Sequence, residues 1–460
     1  MLKTGEILSV FSVFPLRSNV VRFPLVVCAL AVLTGCQQLF HAPDAPLKGQ
    51  TVTVSMTVPE TPPPAAKPLP QQPEQLPVQR PVPRKSLDKR LLPTQDTFSE
   101  SPLAATSAAA VTPSKPVRDA VLQADTVLVD KTVVEDLVLR GMVLIKGALV
   151  VAPQATLRIE PGTVLRFTPL PGSSTLPRLV VQGRIVVSGT SQKPVLFGPA
   201  LSTPLAGDWG GIVLLNSEKK NSLDHCRIEG AQTGLAAHFS NVTGRGLIIS
   251  RSQTGVVLHD SEAHLQGSII SRCDVGCSIA DSELDLRDST IRENRQGCVG
   301  VRSSLNMANV NLLRQGQEGL LAEQCRFRIS GSLFAENRSG IRLTNGDGRL
   351  FLCRFQNNHD YGAELLGVRV RISNSSFVAN AGYGVLLDNA HGSIVGSVFT
   401  ENGKANLLNQ GRVPFAALLN WWGSADEKQV AAGIHDVAPG AGGSVLAVEP
   451  FLKTRPATAP

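Results

Sequence analysis

Aromatic rings are scarce in this chain: 460 residues include three tryptophans and two tyrosines. No stacking platform for bases or sugars can be read from so few. The four methionines and eight histidines form no thioether or imidazole cluster, so a copper site is not expected. Paired Cys-x-x-Cys spacing is absent, and the isolated Cys273-Asp-Val-Gly-Cys277 is too weak a pattern for a metal site. No cofactor is expected. A strong charge bias is also missing. The formal net charge is +7, and about +5 without Lys3, Glu6, Arg17 and Arg22 of the N-terminal region. A balance this mild and dispersed argues against nucleic acid as a partner. Long apolar runs are lacking too. Phe23 to Leu33 is the main one, and it is too short to favour a membrane-spanning helix.

What the chain does have is a repeat. Gly211, Gly234, Gly255, Gly276, Gly297, Gly319, Gly340, Gly362 and Gly384 each precede a short apolar strand and lie 21 to 23 residues apart. A near-constant period in this range marks a repeat architecture. Residues one and three after each glycine are mostly apolar, as in Val256/Leu258 and Ile341/Leu343, which is the alternation of a strand with one buried face. A second apolar ladder runs through Leu265, Leu286, Met307, Ile329, Leu350, Ile372 and Ile394. A third runs through Ile228, Ile249, Ile270, Ile291, Leu312, Phe334, Phe355, Phe377 and Phe399. Three residues beyond the third comes a polar ladder, Asn294, Gln315, Asn337, Asn358, Asn380 and Asn402. Each period thus holds three short strands separated by turns, with no room for helical crossovers. Stacking such coils buries all three ladders on one axis, and the fold class expected is an all-β, single-stranded parallel β-helix. Stacked asparagines suit its turns, because the amide both donates and accepts and the residue tolerates the left-handed conformation.

Residues about 207–405 form the regular coils, and the pattern continues upstream with less regular turns. The phrases Thr156-Leu-Arg-Ile-Glu-Pro-Gly-Thr-Val-Leu-Arg-Phe167, Val181-Gln-Gly-Arg-Ile-Val-Val-Ser-Gly-Thr190 and Gly207-Asp-Trp-Gly-Gly-Ile212 carry a resemblance. So do Asn420-Trp-Trp-Gly423, Ile434-His-Asp436 and Val448-Glu-Pro-Phe-Leu452 at the far end, about 415–455. In these the chain resembles secreted bacterial β-helix proteins of the pectate-lyase-like superfamily. The resemblance implies a right-handed helix over a 119–455 domain. It implies little about activity, because that superfamily hosts lyases, hydrolases, epimerases and non-catalytic binders.

The N-terminus reads as a delivery device. Basic Lys3, Arg17 and Arg22 precede the apolar run, and Leu33-Thr34-Gly35-Cys36 follows it. Residues 1–36 thus resemble a bacterial lipoprotein signal, with Cys36 as the lipidated residue and Gln37 after it in keeping with outer-membrane sorting. Residues 37–118 are rich in proline and cannot bury enough apolar surface to fold, so they are expected to form a disordered tether. Arg80, Arg84, Lys85, Lys89 and Arg90 within it read as a solvated charge run.

Chemistry is harder to find. Of the six later cysteines, Cys277 and Cys298 share a buried ladder position on adjacent coils. A disulfide is conceivable there, but buried thiols acting as small hydrophobes fit better. Cys226 and Cys353 stand where other coils have Ser289, Ser332, Ser375 and Ser397, and Cys273 takes an asparagine-ladder position. Residues seven and nine after each glycine should point outward. They are Glu262, His264, Glu283 and Asp285 in early coils, then Arg326, Arg328, Arg349, Arg369 and Arg371. One face should therefore run from acidic to basic. His238 and His259 stack beside it, one position before the turn that carries Asp260 and Asp281. The motifs of polygalacturonase-like enzymes are missing: His391 lies in Ala-His-Gly, and no Asp-Asp pair occurs. Asp281, Glu283 and Asp285 with Arg287 echo a calcium-dependent lyase too faintly to be given catalytic roles.

The sequence therefore predicts an envelope-anchored lipoprotein, on the periplasmic side or the cell surface. Its non-catalytic β-helix binds polysaccharide or another envelope component along the face just described. The alternative is a polysaccharide lyase, hydrolase or epimerase working in a lateral groove. A copper-delivery module ranks third.

Overall fold

A computed structural model describes residues 123–437, 445–457, 459 and 460. The lipobox Cys36 and the whole 37–118 tether lie outside the described residues. The domain is a right-handed parallel β-helix. Every regular coil contributes three strands, for example Thr254–His259, Glu262–Gln266 and Ile269–Ser271. These build three faces, here called first, second and third in chain order. The second face stacks 14 strands, and the first and third are joined in one 25-strand sheet. Pairings in the regular coils are parallel, and apart from a register shift between Thr233 and Leu235 they keep one register, so each residue stacks on its counterpart one coil away, about 4.8 Å distant. Among the described residues, no helix is long and apolar enough to cross a membrane.

The three apolar ladders fill the interior. Leu265, Ile329, Ile372 and Ile394 of the second face are buried, as are Ile249, Ile291, Phe334 and Phe377 of the third. Phe334, Phe355, Phe377, Phe399 and Trp422 form one stack with ring centroids 5.0, 4.7, 4.8 and 4.4 Å apart. Trp422 of the closing segment thus ends the third ladder, while Asn420 carries on a corner ladder by accepting from Ser397 N–H at 2.9 Å. The short helix Glu427–Ala432 follows, capped by Asp426.

The corners correct one expectation. Left-handed residues do occur at every corner of a regular coil, such as Asp260, Gly267 and Arg272. On the asparagine ladder, however, the left-handed residue is the one before: Glu293, Arg314, Glu336, Asn357, Ala379 and Glu401. The reason is geometric. The left-handed residue turns the chain, and the following side chain is thereby swung into the coil. Asn358 illustrates the result: its Oδ1 accepts from Asn337 N–H at 3.1 Å and its Nδ2 donates to Phe334 O at 3.1 Å, both on the preceding coil. The serine corners do the same with one atom. Ser282 Oγ accepts from Ser261 N–H at 3.0 Å and donates to Ala280 O at 2.6 Å.

The glycine period has a steric cause. A Cβ on Gly319 would lie 2.6 Å from Gly340 O and 3.0 Å from Asn337 Nδ2, and the same collision recurs up the ladder. Gly319→Ala is therefore expected to cost about 1–3 kcal/mol, read as a lower thermal unfolding midpoint. Gly316→Ala, whose Cβ would meet nothing nearer than 3.4 Å, serves as the neutral control.

The six described cysteines are free and buried. Cys277 and Cys298 stay as thiols in register, and the Cys277 thiol is pushed well up by its hydrogen bond with Cys298 and by burial. Burial pushes Cys273 and Cys353 up to about 11. None of the six should react with an aromatic disulfide reagent at pH 8 in the native protein, and all six should react after unfolding. Rapid native labelling at Cys277 or Cys298 would contradict this packing.

Candidate functional site

The second face alternates cleanly. Ala263/Leu265, Leu284/Leu286, Leu305/Met307 and Phe327/Ile329 point into the core, so the residues between them must face solvent. Strand pairing aligns these outward residues in two rows. One reads Asn241, Glu262, Glu283, Ser304, Arg326, Asp347, Arg369, His391. The other reads Thr243, His264, Asp285, Asn306, Arg328, Arg349, Arg371, Ser393. Two acidic coils, one neutral coil and three arginine-bearing coils therefore follow one another along the axis.

A lateral groove of about 1090 Å³ runs beside the first row, where the second face meets the corner after the first face. Its acidic end holds Asp260, Glu262, Asp281 and Glu283, and its mainly basic end Arg326, Asp347, Arg369 and His391. Arg349 and Arg371 line a smaller depression of about 540 Å³ next to it, and Arg328 one of about 240 Å³. His264 and Asp285 face the same side but line none of these hollows. His238 and His259 do not join the groove either. They close the first-face strands, 6.2 Å apart, with His238 half-buried. Burial, then the neighbouring His259, lowers the His238 pKa. His259 reaches the groove only through Asp260, its Nδ1 lying 2.7 Å from Asp260 Oδ2.

The two halves differ in how their charges are satisfied. Arg302 grips Asp281 with two hydrogen bonds, 2.7 and 2.6 Å, and holds that carboxyl below the usual range. Arg287 grips Asp285 in the same way, at 2.9 and 2.8 Å, with the same effect. Glu262 Oε1 lies 2.8 Å from His264 Nε2, and Glu283 has only Asn306 Nδ2 at 3.5 Å. By contrast, among the described residues no ion pair or side-chain hydrogen bond engages Arg326, Arg328, Arg349, Arg369 or Arg371, all of them exposed. Several arginines on other sides of the rod are matched, Arg272 with Glu293, Arg338 with Asp360 and Arg342 with Glu364, whereas Arg227 and Arg354 of the third face are exposed and unmatched among the described residues.

Three groove residues escaped the sequence reading. Asp347 and His391 both stand seven residues after their glycines, and Arg302 stands five after its own, in the turn position of Asp260 and Asp281. The same register would have found them. Phe239 had no such signal: it is a left-handed corner residue, 57% exposed, with its ring 6.0 Å from His259 beside the acidic end. Among the described residues, no three His, Cys, Asp or Glu side chains come together as metal ligands.

Asp281 and Asp285 titrate lower in the folded chain than unfolded, so their stabilisation is present above about pH 4 and lost as pH falls through the folded values. Arg287→Gln should accordingly destabilise the protein only slightly at pH 7, since the guanidinium is largely exposed and its attraction is screened by solvent. The difference from the parent should vanish near pH 2 in matched thermal melts.

Three family models match. Residues 280–425 match a right handed beta helix region, residues 132–239 a pectate-lyase like beta helix domain, and residues 203–347 the periplasmic copper-binding protein NosD. No curated protein matches the chain. Among solved structures it is similar to the periplasmic alginate epimerase AlgG, at 11% identity over 69% of this chain and 78% of that one, TM-score 0.35. It is similar to the A-module of the Azotobacter vinelandii mannuronan C-5 epimerase AlgE6, at 11% identity over 69% and 91%, TM-score 0.33. An alginate lyase from Paenibacillus sp. matches at 13% identity over 65% and 93%, TM-score 0.28. Overlaps this loose assign no activity to the chain.

Proposed function

We propose that this pectate-lyase-like right-handed β-helix protein binds an acidic polysaccharide along its second face and does not turn it over. The observation that carries the reading is the set of five exposed arginines without partners, of which Arg328, Arg349 and Arg371 stack on consecutive coils. Like charges about 4.8 Å apart repel by about 1 kcal/mol or less in water. That repulsion brings the folded chain nothing on its own, whereas a carboxylate laid over each guanidinium would relieve it and gain charge-assisted hydrogen bonds. A linear polymer of uronic acids supplies such carboxylates at regular intervals.

The arrangement favours holding over reacting. Most of the carboxylates that could act as bases belong to the acidic half, where Arg287 and Arg302 keep two of them as ion-paired anions, while Asp347 stands among the arginines, between Arg326 and Arg369. The neutral Ser304/Asn306 coil separates that half from the arginines. One observation favours the alternative of a lyase or epimerase: His391 follows Arg369 in the same row, so an imidazole sits one coil from a carboxylate-binding group. Copper, named for the matched periplasmic family, finds no ligand cluster among the described residues.

The reading includes delivery. Lipidation at Cys36 with a proline-rich 37–118 tether would hold the rod in the cell envelope, and a match to a family named as periplasmic fits an exported chain. Cys36→Ala should then move the protein from the membrane fraction to the soluble fraction. Unchanged fractionation would remove the lipid anchor from the proposal.

Binding is tested by titrating the purified protein with polyuronate and with a neutral glucan. The parent should bind the first alone, more weakly as salt rises. The triple variant Arg328→Ala/Arg349→Ala/Arg371→Ala should keep its fold and lose at least about tenfold in affinity. Equal binding by parent and triple variant would sink the arginine face as the site. Release of unsaturated or epimerised sugar would replace binding by catalysis, with His391→Ala as the next variant.

A further inference from the structure

Building on that reading, we infer that the groove selects a short anionic block, of three to four uronate units, and that its acidic half acts as a stop that fixes the ligand's register. The five free guanidiniums occupy three consecutive coils, Arg326/Arg328, Arg349 and Arg369/Arg371; Asp347 takes the first-row place of the middle coil, so the unbroken run is the second row, Arg328, Arg349 and Arg371. One coil advances about 4.8 Å along the axis, close to the length of one pyranose in an extended chain. Three coils therefore seat three carboxylates, and His391 on the next coil can meet a fourth.

Extension is different in the two directions. Past His391 the outward row continues from Ser393 to Ala416, neither of them charged, so further units gain nothing and lose nothing there. Past Arg326 the chain would cross the neutral Ser304/Asn306 coil and reach Glu283 and Asp285, then Glu262 and Asp260. Arg287 and Arg302 offset Asp285 and Asp281, but Asp260, Glu262 and Glu283 have no guanidinium partner. A uronate laid there would face carboxylates at one-coil spacing. The neutral coil marks the boundary, and a polyanion stops against it. The groove so arranged takes the end of an acidic chain, or a short acidic block flanked on that side by uncharged sugar.

Purified full-length protein is titrated at low salt with a pure uronate series from dimer to octamer. Affinity should rise about tenfold from dimer to trimer and then change by less than about twofold from tetramer to octamer, because the stop leaves one register free of repulsion. In Glu262→Gln/Glu283→Gln the stop loses both of its free second-face carboxylates while the arginines remain. Tetramer binding should be unchanged, and the octamer should bind about fivefold tighter than the tetramer, through the added registers and contacts. Arg328→Ala/Arg349→Ala/Arg371→Ala should weaken every length. An affinity that climbs steadily to the octamer in the parent, or a length profile identical in parent and double glutamine variant, overturns the stop while leaving the binding site in place. Absence of binding at every length overturns the arginine site itself.

Discussion

The rod depends on one device repeated at its corners: a left-handed residue followed by a buried side chain that hydrogen-bonds the neighbouring coil. A parallel coil must turn three times in about 22 residues, and each turn strands backbone groups inside the protein. The ladder of Asn294, Gln315, Asn337, Asn358, Asn380 and Asn402 answers this at one corner by accepting from one backbone and donating to another. Serine and cysteine answer it at the others. Removing a partner would leave a buried donor unpaired, which costs more than the bond itself contributes. The glycine ladder belongs to the same constraint. The coils approach so closely at Gly255, Gly276 and Gly297 that the next carbonyl occupies the place of a Cβ.

Because corners and core lock the register, the outward positions are free to vary, and they vary in an ordered way. Identical positions on successive coils become neighbours about 4.8 Å apart. A row of side chains thus acts as a one-dimensional surface whose charge profile is written directly by the sequence. Here a neutral coil divides a mainly acidic stretch from one dominated by arginines, in which Asp347 is the carboxylate of the two outward rows. The aromatic and thiol groups that look chemically interesting in the sequence are taken up by the interior. Phe334 to Trp422 form a stack, and Cys277 and Cys298 fill strand positions within the core.

Legibility followed the period. The glycines, the three apolar ladders and the outward direction of Glu262, Glu283, Arg328 and Arg371 could all be read by counting, since a one-coil period makes equal offsets into spatial neighbours. The same count would have reached Asp347 and His391 had it been carried through every coil. Asparagine tolerates the left-handed conformation, yet the left-handed residue sits one position before each ladder asparagine, because the asparagine side chains turn inward and their neighbours make the turn. No count predicts that Arg302 reaches back to Asp281 while Arg326 reaches nothing. That depends on where flexible side chains end in space, and on how the corner opens a groove beside them.

The sequence by itself determined the architecture, the coil boundaries and which residues share a face, because a strict repeat converts linear spacing into geometry. It also placed opposite charges at opposite ends of that face. Only the tertiary structure decided which charges are already satisfied. Asp281 and Asp285 are held by arginines, whereas Arg328, Arg349 and Arg371 are left open to solvent. The physical reason is that an ion pair requires an approach of a few ångströms between side-chain ends, and such approach is set by packing between coils, not by position along the chain.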